Sequence, residues 1–137
     1  MYKKILVPID DSELSVKAVK QAVNLAKELR AELVFFHAKP IKNCNDTKEF
    51  YEEKLSSSCL SFLDEALNLA KSLTVQSIKI LVENNEPYKA IIDYAHSNLC
   101  DLILMASHGL SVMEGMLLGT QINKVILYSK VPVLTMK

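Results

Sequence analysis

The chain has 137 residues, half of them hydrophobic, and its 16 basic side chains balance 16 acidic ones. That length suits one domain, residues 1–137, burying roughly two-thirds of its unfolded surface, and the apolar content excludes a disordered tail. Zero formal charge leaves no excess of Lys and Arg for nucleic acid or an anionic membrane, so a small-molecule site or a protein interface fits better.

In chain order, Ile5 to Ile9 is a short apolar run closed by Asp10 and Asp11, which reads as a buried strand. Ser12 suits an N-cap, and Val16, Val19, Ala22, Val23, Ala26 and Leu29 then recur at helical spacing. Leu33 to His37 forms a second buried strand, followed by a polar loop from Lys39 to Lys48. From about Glu49 to Leu73, Leu55, Cys59, Phe62, Leu63, Ala66, Leu67 and Ala70 mark an amphipathic helix. Ser77 to Val82 gives a third strand, and Pro87 opens a helix to about Ser97 that turns Ala90, Ile91, Tyr94 and Ala95 inward. Leu102 to Met105 is the fourth strand. A further helix, patterned by Ile122 to Leu127, ends near Ser129, and Val131 to Met136 is a fifth strand.

Five apolar strands alternating with helices predict an α/β fold: a doubly wound, five-stranded parallel sheet with helices on both faces. In such sheets ligands sit at the strands' carboxyl ends, where strand order reverses. The first and fourth strands end in Pro8-Ile9-Asp10-Asp11 and Ala106-Ser107-His108-Gly109. If they are neighbours across that reversal, both segments line one pocket.

All three glycines of the chain fall between positions 109 and 119, after an apolar strand and before a helix. A glycine-bearing loop leading to a helix start offers N–H groups and a helix dipole to a phosphate. Gly109 is followed by nine residues and then Gly119 and Thr120. With the opening Ile5-Leu-Val-Pro-Ile-Asp-Asp-Ser12 and the closing Val131-Pro-Val-Leu134, this spacing resembles the universal stress protein family, whose nucleotide-binding members carry G-x-x-G, nine residues and G-[ST] after the fourth strand. The resemblance covers the whole chain.

It implies an adenine-nucleotide site for ATP, with or without Mg²⁺. Asp10, beside Pro8 and Ile9, would meet the ribose and adenine side, and Ala38 would offer backbone contacts to the base. Gly109 would let the chain approach the phosphates, while Gly119 and Thr120 would donate to the terminal ones, with Gln121 adjoining them. Met105, Ala106 and His108 complete the implied lining, although packing is the better role for Met105 and loop shaping or ligand packing for His108. Ala106 stands where the family pattern has its first glycine. With positive φ an alanine there costs about 1–2 kcal/mol; with negative φ the methyl narrows the pocket. The resemblance also implies a homodimer through Val131 to Met136.

Other chemistries find little support. Asp10 and Asp11 are similar to the acidic pair of response-regulator receivers, but position 83 is Glu and Lys137 lies at the end of the sequence. For Asp11 and Ser12, capping the first helix outweighs ligand contact. Gly119-Thr120 has no Lys between glycine and hydroxyl, so it is no P-loop. His108 has no nucleophile elbow beside it, and no metal spacing involves His37 or His96. The sole arginine, Arg30, lies at the far end of the first helix. Cys44, Cys59 and Cys100 show no ligand or disulfide pattern, which predicts reduced thiols, and Asn45-Asp46-Thr47 is a chance sequon. The run from Met1 to Val7 has no signal-peptide character and no apolar stretch nears the ~20 residues of a membrane helix. The expectation is a cytoplasmic ATP-binding stress module in which any hydrolysis is slow. The alternative is a dimeric interaction protein of the same fold that binds no nucleotide.

Overall fold

The computed structural model describes residues 1–41, 61–107 and 117–137, with the side chains of 117–120 outside the described set. Strand β1 (Lys4–Pro8) leads into α1 (Glu13–Leu29), and β2 (Glu32–Lys39) follows. Helix α2 is described over residues 61–72. Then come β3 (Ser77–Glu83), α3 (Pro87–Ser97), β4 (Leu102–Ala106), α4 (Leu117–Tyr128) and β5 (Val133–Met136). The expected loop from Lys39 to Lys48 and the start of the second helix lie largely outside the described residues.

The strands form one sheet in the order β3-β2-β1-β4-β5, every neighbouring pair parallel. Alternate strand residues point to opposite faces. Ile5, Val7, Leu33, Phe35, Leu102 and Leu104 pack with α1 and with Leu63, Ala66 and Ala70 of α2. Leu6, Val34, Phe36, Ile103 and Met105 pack with Ala90, Ile91 and Ala95 of α3 and with Ile122 and Val125 of α4. Burial on both faces is why the central strands read as unbroken apolar runs. Phe36 and Tyr94 add a tilted ring contact, with centroids 5.2 Å apart.

Local chemistry sets the boundaries. The Ser12 hydroxyl accepts the Ser15 N–H at 3.1 Å to cap α1, as its residue type predicts. Pro87 occupies the first turn of α3, where its missing N–H leaves no bond unmade. The last strand begins at Val133 rather than Val131. Ser129 holds Val131 in a tight turn, Oγ accepting its N–H at 3.0 Å and donating to its carbonyl at 2.8 Å, and Pro132 has no N–H for a ladder. Three expected apolar helix positions face outward: Val16 is 40% exposed, Ile126 50% and Leu127 72%. No helix among the described residues is long and apolar enough to cross a membrane.

Candidate functional site

Strand order reverses at β1, because β2 lies on one side of it and β4 on the other. In register, Ile5 pairs with Leu102 and Leu6 with Ile103. The carboxyl ends of β1 and β4 therefore adjoin, and the condition set by the sequence, that these two strands be neighbours, is met. Such a switch point opens a crevice because the connections leave it on opposite faces of the sheet.

The first wall is built by the turn after β1. Ile9 donates its N–H to the Phe36 carbonyl at 2.8 Å, extending the ladder beyond Pro8. Asp10, 8% exposed, is fixed by the first turn of α1. Its Oδ1 accepts the Ser12 N–H at 2.8 Å and the Ser15 hydroxyl at 2.8 Å, while its own N–H donates to Ser15 Oγ at 3.0 Å. The carboxylate thus organises the helix entry through Oδ1 and keeps acceptor capacity on Oδ2. Ligand contact and helix organisation are compatible on one side chain.

Pro8, Ile9, Asp10 and Ala38 line one cleft together with Phe36, His37, Pro87 and Ile91. His37 Nδ1 lies 2.7 Å from the Ile9 carbonyl. A carbonyl only accepts, so Nδ1 carries the proton and the ring pins β2 to the β1 turn. The free space beside these residues is about 10 Å³, the size of one water. They form a wall for a ligand to lie against rather than a cavity that encloses one.

Met105 is fully buried and packs on the α3 and α4 face with Ala38, which agrees with packing as its main role. Ala106 is 4% exposed within β4, and its φ is not among the positive values of the chain. The cost of a left-handed alanine therefore does not arise. Its methyl packs into the opposite core, on the α1 face, and takes no space from the cleft beside α3. Helix α4 starts at Leu117, which puts Gly119 and Thr120 in its first turn. The N–H groups of a first turn have no intrahelical acceptor. Gln121 Oε1 accepts the Tyr88 N–H at 3.2 Å, which ties α4 to the start of α3 beside Pro87. His108, Gly109 and the Thr120 side chain lie outside the described residues.

Ser15, His37 and Pro87 stand beside the expected residues and were not singled out for this place by sequence. Ser15 carries a usable signal, a second hydroxyl one turn after an acidic N-cap segment. His37 and Pro87 carry none, since only the strand order brings them together. Among the described residues no group of three or more His, Cys, Asp or Glu side chains is placed to hold a metal ion. A cavity of about 470 Å³ lies at the other end of the sheet among Lys3, Lys27, Arg30, Glu32, Thr74 and Gln76. Despite its cations, it receives the carboxyl ends of α1 and α2, whose negative dipole ends oppose a phosphate.

Comparison with known proteins follows the same line. The family model described as the universal stress protein family matches residues 1–137. Universal stress protein MJ0531 of Methanocaldococcus jannaschii is 33% identical, the alignment covering 100% of this chain and 83% of that protein. Universal stress protein YxiE of Bacillus subtilis is 32% identical, with 100% of both chains covered. Among solved structures, MJ0577 superimposes with a TM-score of 0.81 at 27% identity over 100% of this chain and 96% of the other. The fold is shared with a universal stress protein in complex with cAMP (TM-score 0.77, 24% identity, 99% and 97% covered). It is shared too with one from Archaeoglobus fulgidus in complex with dAMP (TM-score 0.72, 19% identity, 99% and 98% covered). The strand order, the crevice at β1 and β4 and the full-length matches lead to one conclusion: the chain belongs to the universal stress protein family.

Proposed function

We propose that the crevice between β1 and β4 binds an adenine nucleotide, ATP with or without Mg²⁺, and that the protein acts as a ligand-dependent stress module rather than a fast enzyme. The observation that carries this reading is the convergence of three elements at the switch point. The Asp10 turn with a spare carboxylate oxygen and the apolar wall around Ala38 line one cleft, and the bond from Tyr88 N–H to Gln121 ties α4, with Gly119 and Thr120 in its first turn, to the start of α3, whose Pro87 belongs to that wall. Hydroxyls can be met by the carboxylate, a base by the apolar wall, and phosphate oxygens by unpaired N–H groups at a helix start. The solved complexes with cAMP and dAMP on the same fold support the ligand class. Any hydrolysis is expected to be slow, since the sequence has no Lys between Gly119 and the Thr120 hydroxyl.

The test is calorimetric titration of nucleotide-stripped protein with ATP and Mg²⁺, with Gly119→Val as control. Micromolar binding that the folded control loses supports the site, since a β-branched side chain in that first turn blocks close approach. No heat and no thermal shift at millimolar ATP overturns it.

A second reading, a homodimer through β5 whose role is interaction with other proteins, rests on a separate observation. β5 is an edge strand with Leu134 39% exposed, and the neighbouring α4 turns Ile126, Leu127 and Tyr128 to solvent at 50, 72 and 60%. Unpaired N–H and C=O groups beside an apolar face suit a second copy of the chain. Dimerisation at the outer edge of β5 and nucleotide binding at the carboxyl ends of β1 and β4 use different groups of the sheet and are compatible.

A further inference from the structure

The other edge of the sheet carries a different surface. β3 is longer than β5, seven residues against four, and it is only partly covered: Ile78 is 48% and Leu81 37% exposed. Its ladder shows which backbone groups are already used. Leu33 donates to the Gln76 carbonyl at 2.9 Å, and Asn84 donates to the Lys39 carbonyl at 2.8 Å. In a parallel ladder the bonding residues of a strand alternate, so the even-numbered residues of β3 face β2. The N–H and C=O groups of Lys79, Leu81 and Glu83 point out of the sheet.

Those three residues lie within a self-complementary sequence, Lys79-Ile80-Leu81-Val82-Glu83. Turned antiparallel on itself about Leu81, it sets Lys79 against Glu83, Ile80 against Val82, and Leu81 against its own copy. In this register the odd residues fall at hydrogen-bonded pairs, which is where their free backbone groups are needed. The even residues fall at the closer non-hydrogen-bonded pairs, where Ile and Val pack well. The charges sit on one face of the sheet, since Lys79 pairs within the chain with Asp64 of α2 and Glu83 with Lys39 at 3.4 Å. The Lys79–Asp64 pair is solvent-exposed and the Lys39–Glu83 pair partly so, which makes both weak, and an ammonium with three donors can serve a second carboxylate.

We propose that the outer edge of β3 is a self-pairing surface, at which two copies join antiparallel about a two-fold axis through Leu81, each Lys79 opposite the partner's Glu83. Charges on an edge strand commonly keep other strands away. Here their order sets Lys79 opposite Glu83 in a register in which the free backbone groups also match, and that coincidence favours pairing. The occupant is a second copy because the complement of this strand is the strand itself. The inference is independent of the nucleotide site and of β5.

Crosslinking and sedimentation test it. In a Cys44→Ser, Cys59→Ser background, Leu81→Cys is expected to form a disulfide-linked dimer under mild oxidation, since directly opposed residues meet at bridging distance. Ile78→Cys, which would face the partner's Asn84, is not. In a Leu134→Glu background, where β5 is blocked, Lys79→Glu and Glu83→Lys are each expected to weaken association by roughly tenfold. The double swap is expected to restore it, with thermal melts confirming that every variant folds. Equal crosslinking at positions 78 and 81, no effect of the single reversals, or a swap as weak as they are would each overturn the proposal.

Discussion

Leu99 stands in the left-handed region at φ 58 with 84% of its surface exposed, between the end of α3 and Cys100. Arg30 at φ 56 and Thr74 at φ 60 hold the equivalent places after α1 and α2. Glycine is the residue that such helix ends favour, yet every glycine of the chain lies between 109 and 119. The glycine positions therefore pointed to the loop near the crevice and gave no sign of these three turns, each of which carries the left-handed cost on a β-carbon. Leu99→Gly is expected to stabilise the fold by roughly 0.5–1 kcal/mol, the strain relieved exceeding the added freedom of the unfolded chain. Urea titration reads it directly, and an unchanged or lower midpoint would mean that Leu99 carries a contact its exposure hides. Ala106 teaches the converse. Its substitution for a pattern glycine looked costly from sequence, but the strand geometry that makes it harmless depends on β4 continuing one residue beyond Met105.

At the level of elements, the strands and helices were legible wherever one periodicity ruled. α3 begins at Pro87 and ends at Ser97 as the pattern predicts, because a proline start and a single apolar face agree. β2 extends past His37 to Lys39 because its partner β3 continues to Glu83, and no local signal in β2 encodes that length. α4 was harder to read, since its buried Ile122 and Val125 share the helix with apolar side chains that face outward. The connection from α3 to β4 gives a pH prediction. Cys100 is 5% exposed, and burial, the largest influence, pushes its thiol pKa up; burial does the same to the Tyr94 phenol on the same face. In both cases the charged form is the deprotonated one, so the folded pKa lies above the unfolded value. The associated stability is complete below the ordinary thiol value of about 8.5 and is lost as pH rises through the folded pKa. Stability of the wild-type chain should therefore fall between about pH 8.5 and pH 10, and Cys100→Ala should fall less steeply over that range. Denaturant midpoints across it provide the check, and parallel profiles for the two proteins would place the alkaline loss elsewhere.

For the whole molecule, composition pointed away from nucleic acid but gave no hint that the sheet would end in two unlike edges. Edge status follows from strand order, and strand order was the feature left open by sequence. On β5, Ile103 donates to the Pro132 carbonyl and Ser107 to the Met136 carbonyl, so the backbone groups of Val133 and Thr135 face outward. With two outward residues, this edge needs support from side chains, and α4 supplies Ile126, Leu127 and Tyr128 nearby. Leu134→Glu would bring two carboxylates together across a two-fold axis there, and like charges opposed on adjoining strands repel. Its dimer affinity, read by sedimentation, is expected to fall by at least about tenfold, while ATP binding stays unchanged because the crevice lies at the carboxyl ends of β1 and β4. A variant that still pairs through β3 would then show that edge alone. Two isologous edges on one sheet generate an open chain of molecules rather than a closed pair, so the wild-type protein should grow beyond a dimer with concentration and Leu134→Glu should stop at two. If Leu134→Glu leaves the association of the wild-type protein unchanged at every concentration, β5 is not an interface.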